Sequence, residues 1–107
     1  MTGGDTDRRD LVGLDAYRDD VHRSTYAATL QRQRASGRRV IITETGCATY
    51  RGAAAAGGMA WTVVARGSGG RRLRPGVVRD EAEQAGELDA LLDLAEQSGV
   101  DGAFIHT

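Results

Sequence analysis

The chain reads as an α/β protein with parallel strands, and three observations carry that reading. Short apolar runs alternate with longer stretches of helical spacing, in the order strand, helix, strand, long connection, helix, strand. The run Val40-Ile41-Ile42-Thr43 is continuous in hydrophobicity and β-branching, as befits a strand buried on both faces, and it delivers an acid, Glu44, just before the turn at Gly46. Strands joined through helices need crossover connections, and right-handed crossovers make such a sheet parallel.

The elements follow in order. After a polar lead over residues 1–10, Leu11-Val12-Gly13-Leu14-Asp15-Ala16 reads as a short strand over 11–16 that ends near Tyr17 and the polar turn Arg18-Asp19-Asp20. A helix over 24–36 should follow, capped by Ser24, with Tyr26, Ala27 and Leu30 as its apolar stripe and Gly37 as its stop. The second strand spans 39–44. From 45 to 79 the chain is a long connection rich in glycine and arginine, which in a compact domain is functional or mobile. Asp80 and Glu83 then have capping-box spacing for a helix over 80–98, whose buried face is Ala85, Leu88, Leu91, Leu92 and Ala95 and whose stop is Gly99. A third strand spans 101–106.

Composition bounds the function. At 107 residues, with 40% hydrophobic and 27% charged residues, the chain is long enough for a single globular domain, 1–107. Its formal charge of −1 gives no global field for nucleic acid or an anionic membrane, so neither is expected as a partner. All fourteen bases are arginine, which reads as compositional bias rather than a binding device. No stretch looks like a signal peptide or a membrane span, and the expected location is the cytoplasm. The single cysteine, Cys47, excludes a disulfide within this chain, and with only His22 and His106 beside it no metal or other cofactor is expected.

Four blocks carry a resemblance: Val12-Gly13-Leu14-Asp15-Ala16-Tyr17, the run from Val40 through Glu44-Thr45-Gly46-Cys47 to Ala53, Val78-Arg79-Asp80-Glu81-Ala82-Glu83-Gln84-Ala85, and Gly102-Ala103-Phe104. Together they resemble the C-terminal part of a bacterial TIM-barrel family that is similar to clan A glycoside hydrolases, some members of which bear the label abortive phage infection protein. The resemblance spans almost the whole chain. It implies a partial (β/α)8 barrel of about three βα units, the sixth to eighth. It also implies a carbohydrate ligand, Glu44 as nucleophile at the end of the seventh strand, and Tyr17 as the phenol that orients Glu44 and keeps it ionised. The eighth strand of that family offers an aromatic floor for a sugar. Here Phe104-Ile105-His106-Thr107 alters it, leaving His106 and, from the long connection, Trp61 as candidate substrate contacts.

The resemblance also marks what this chain lacks. Retaining glycosidases use two carboxylates about 5–5.5 Å apart, and the family pattern puts the acid/base on a fourth strand with no counterpart here. A full barrel takes about 250 residues. The chain, with its start-like Met1, therefore reads as a barrel fragment that is not competent for catalysis alone. The alternative is a non-catalytic module that pairs through open barrel edges, with itself or with a complementary fragment.

Each candidate has a plainer competitor. Glu44 could serve a turn or pair with Arg51, Tyr17 could be a packed strand-end ring, and Trp61 could cover an apolar edge. Asp15 shares a face with Tyr17 only if the strand stays regular. Cys47 could be a thiol nucleophile served by His22 or His106, but nothing in the sequence lowers its pKa. Arg71, Arg72 and Arg74 could clamp a phosphate, without the spacing of a phosphate-binding loop.

Overall fold

The computed structural model describes residues 11–106, so the polar lead over 1–10 lies outside the described residues. Within them the fold is mixed α/β. Strands β1 (Leu11–Asp15), β2 (Arg39–Thr45) and β5 (Gly102–Ile105) form a parallel sheet in the order β1-β2-β5. Helix α1 (Tyr26–Ala35) joins the first two strands, and α3 (Glu81–Gln97) precedes the last. The sheet does not close on itself, and β1 and β5 are its edges among the described residues.

Both long helices cover one face. Leu14, Ile42 and Ala103 stand opposite one another across the three strands, and they pack against Tyr26 and Leu30 of α1 and Leu91 and Ala95 of α3. Val40 and Ile42 on this face are almost wholly buried, whereas Ile41 between them is half-buried and Thr43 exposed, so β2 is fully buried on one face and not on both as its unbroken β-branched run suggested. Neither long helix covers the other face among the described residues. Leu11 and Phe104 there are 50% and 64% exposed.

Two expectations about the helices are corrected first. Ser24 does not cap α1: it sits in a 3-10 turn, Arg23–Thr25, and the N-cap is Thr25 with no side-chain bond to the helix. Asp19 Oδ1 accepts from the His22 amide at 2.8 Å, which closes the acidic turn ahead of the 3-10 segment and leaves α1 without a side-chain cap. The buried face of α3 is rotated from the expected one. Ala85 and Leu92 are exposed, while Glu87, Leu91 and Ala95 are buried and Leu88 and Leu94 pack at their side. A carboxylate occupies that face because two arginines meet it there.

The connection 45–79 is not structureless. It holds the short helix α2 (Ala53–Ala56), a 3-10 segment (Gly57–Val63) and an antiparallel hairpin, β3 (Val64–Gly67) with β4 (Gly70–Leu73). The glycine tract that looked like a flexible loop is the hairpin's turn, Ser68-Gly69. Asp80 does cap α3, accepting from the Glu83 amide at 2.9 Å. Glu83 completes no box with it; its carboxylate instead accepts from the amides of Gly52 and Ala54, tying α2 to α3.

Candidate functional site

The site forms where β1 and β2 leave the sheet. Plain alternation along β2 would put Glu44 on the helix-covered face with Ile42. The register prevents this: Leu14 pairs with Ile42 but Asp15 pairs with Glu44, so Thr43 is an extra residue in the ladder. Such a bulge re-aims the side chains beyond it. Glu44 is thereby turned toward the side of Asp15 and Tyr17, and the Tyr17 hydroxyl donates to Glu44 Oε2 at 2.6 Å. The backbones are also joined, with the Ala16 amide donating to the Glu44 carbonyl at 2.9 Å.

Helix α3 holds the loops around this pair. Arg18, next to Tyr17, forms a bidentate bond to Glu87 at 2.7 and 2.9 Å, and Arg23 reaches the same carboxylate at 3.2 Å while donating to the Ala54 carbonyl. Burial works against ionising Glu87, but the bonds from Arg18 and Arg23 outweigh it and hold its carboxyl below the usual range. Gln84 fixes the chain after Glu44 by donating to the Cys47 carbonyl at 2.8 Å. The Tyr17 ring lies against Gly58, where an added Cβ would come within 3.1 Å of it, so this glycine makes room for the phenol.

A cavity of about 620 Å³ opens over the pair. All four candidate residues from the sequence, Tyr17, Glu44, Trp61 and His106, line it. So do Tyr50, Arg79, Val64 and Leu73, which sequence reasoning missed. The last two reach it because the hairpin folds over the sheet end, a placement with no local signal. His106 is held at the rim by its amide, which donates to the Thr45 carbonyl at 2.7 Å. Glu44 is the one carboxylate among the described residues lining the cavity; Asp15 does not line it. Arg51 stands 3.9 Å from Asp80, with which it forms an ion pair.

The electrostatics suit a carboxylate held by a neutral donor. Burial, and then the bond to Glu44, pushes the Tyr17 phenol up to about 12, so it remains a donor at neutral pH. Burial likewise pushes the Cys47 thiol up to about 11, which disfavours the thiolate a cysteine nucleophile needs. His22, its proposed base, is bonded to Asp19. Among the described residues no cluster of three His, Cys, Asp or Glu side chains could hold a metal. Nor is any helix among the described residues long and apolar enough to cross a membrane. No protein-family model matches the chain, and no curated protein matches it.

The Tyr17–Glu44 bond makes a measurable prediction. Tyr17 should titrate near pH 12, followed by NMR of its ring carbons, and Glu44→Gln should lower that value while burial keeps it above 10. A raised phenol pKa means the folded state retains a proton the unfolded state loses. The contribution is complete below pH 10 and is lost as pH rises toward 12. Titration of Tyr17 at 10, unchanged by Glu44→Gln, would show that the phenol does not meet the carboxylate.

Proposed function

We propose that this chain is a glycoside hydrolase-like unit, three βα segments of a (β/α)8 barrel, with a carbohydrate as its ligand and Glu44 as its nucleophile. The observation that supports this best is the 2.6 Å bond from Tyr17 to Glu44 at the carboxyl end of a parallel sheet, under a cavity walled by Trp61 and Tyr50. Tyr17 occupies Oε2 and leaves Oε1 to attack an anomeric carbon. The indole and phenol faces suit the apolar face of a sugar ring, and His106 and Arg79 offer polar contacts at the wall.

On this reading the chain alone does not hydrolyse unactivated glycosides. With Glu44 the one carboxylate among the described residues lining the cavity, no second carboxyl is at hand to protonate a poor leaving group. An activated glycoside bypasses that need. With 2,4-dinitrophenyl 2-deoxy-2-fluoroglycosides of the gluco, galacto, manno and xylo series, the bond from C1 to the aryl oxygen breaks, dinitrophenolate leaves without a proton, and Glu44 forms an ester to C1. Intact mass and peptide mapping should find one glycosyl unit on Glu44 in at least one series and none in Glu44→Gln. Absence of labelling in all four, or labelling that survives Glu44→Gln, defeats the assignment.

A second reading is favoured by the sheet face that the long helices leave uncovered, where Leu11 and Phe104 are exposed on the two strands that are edges among the described residues. It is a non-catalytic interaction module that pairs through those edges with a second copy or a complementary barrel fragment. Light scattering would then find association while the glycosides leave Glu44 unlabelled.

A further inference from the structure

The near-zero net charge conceals a segregation. Residues 45–79 carry six arginines and no acid, so all fifteen acids lie outside this stretch. Some of these arginines are accounted for: Arg51 faces Asp80, Arg79 bonds Glu81, and Arg74 donates to the Thr62 carbonyl. Arg66, Arg71 and Arg72 are exposed on the hairpin, and none meets a carboxylate among the described residues.

Their register gives this charge a direction. Val64 pairs with Leu73, and both line the cavity. Arg66 pairs with Arg71, two residues further along each strand. Cross-strand partners share a face, and residues two apart on a strand return to it. Arg66 and Arg71 therefore continue the cavity's wall outward, roughly 7 Å beyond Val64 and Leu73. Like charges directly opposite one another destabilise a ladder, and a two-stranded ribbon has little stability to spare. An anion lying across Arg66 and Arg71 would remove that repulsion.

Glu44 limits what kind of anion this can be. A ligand unit at the cavity floor lies beside a carboxylate, so a polymer charged at every unit would bring an anion against it. A polymer neutral there and acidic further out meets Glu44 and the arginines on favourable terms. We propose, on the strength of the carbohydrate reading above, that the Arg66–Arg71 face is an outer subsite for a glycan whose acidic units are interspersed with neutral ones. A nucleic acid, charged at every backbone unit, fits this arrangement poorly.

The test is equilibrium binding by the full chain of oligosaccharides from hyaluronan and from glucuronoxylan, each beside its carboxyl-reduced neutral counterpart. At low salt the acidic member of at least one pair should bind about tenfold tighter, as two exposed charge contacts would give. The preference should fade as salt screens it. Arg66→Gln/Arg71→Gln should abolish the preference and leave neutral binding intact, whereas Arg66→Lys/Arg71→Lys should retain it. Neutral binding with no acidic preference, or a preference that survives the double glutamine variant, overturns the subsite alone. Failure of every member to bind overturns the carbohydrate reading with it. Displacement of the acidic glycan by oligothymidylate at equal charge concentration would overturn the subsite in favour of a nucleic-acid surface.

Discussion

Gly46→Ala should unfold the sheet end that carries the site. The glycine is required by contact: an added Cβ would stand 1.9 Å from the His106 carbonyl oxygen and 3.1 Å from its carbon, both backbone atoms of the neighbouring strand end. No rotamer relieves a clash between Cβ and main chain. The pairing that must give way is the one that holds His106 at the rim through Thr45. Overpacking typically costs about 1–3 kcal/mol, and a clash with main chain belongs at the upper end of that range, a large share of the stability of a small domain. Denaturant melts should show that loss, and glycoside labelling of Glu44 should fall with it. Gly86→Ala is the matched control: nothing lies within 4 Å of its added Cβ in the middle of α3, so it should stabilise by about 0.5–1 kcal/mol. Equal melts for the two variants would mean that β2 and β5 do not approach one another at Gly46.

That contact gives a physical reason for one part of a pattern visible in the sequence. Glu44-Thr45-Gly46 could be noticed as residues; that the glycine admits the neighbouring backbone could not. The parallel order of the strands was legible because β2 is apolar on both sides and α3 opens with a capping aspartate, both local signals. The place of Glu44 at the strand end was legible from the apolar run that precedes it, but the side it faces was not, since alternation alone would have turned it under the helices. The bulge at Thr43 corrects that, and a bulge depends on what the partner strand does rather than on the strand's own composition. The hairpin wall was missed because its glycines resemble a linker when read without Val64 and Leu73 as a pair. Glu87 was missed for the simplest reason. An acid among leucines on a helix reads as its solvent side, and the arginines that bury it are 64 and 69 residues away in the chain.

Arg18→Ala should therefore destabilise the protein in a way that depends on pH. Glu87 is 6% exposed and Arg18 13%, so removing the guanidinium leaves a carboxylate in a place that water scarcely reaches. Breaking a buried pair from one side costs about 3–5 kcal/mol, and Arg23, still 3.2 Å from Oε1, should hold the loss to about 2–3 kcal/mol. In the native protein Glu87 is held below its ordinary value of 4.5. Its contribution is then fully present above pH 4.5 and drains away as pH falls through the lower folded value. In Arg18→Ala, burial has less to oppose it and the carboxyl moves upward. The stability gap between the two proteins should therefore be widest near neutrality and narrow as acid protonates Glu87 in both. Melts across pH 7 to about 3 would read this directly. Arg18→Met/Glu87→Leu, which removes both charges, should recover much of the loss at neutral pH. Labelling of Glu44 should fall in both variants, because Arg18 anchors the turn that carries Tyr17. A gap that stays constant with pH would show that Arg18 acts through packing alone, and that the charge on Glu87 is not what fastens α3 to the sheet end that carries Tyr17 and Glu44.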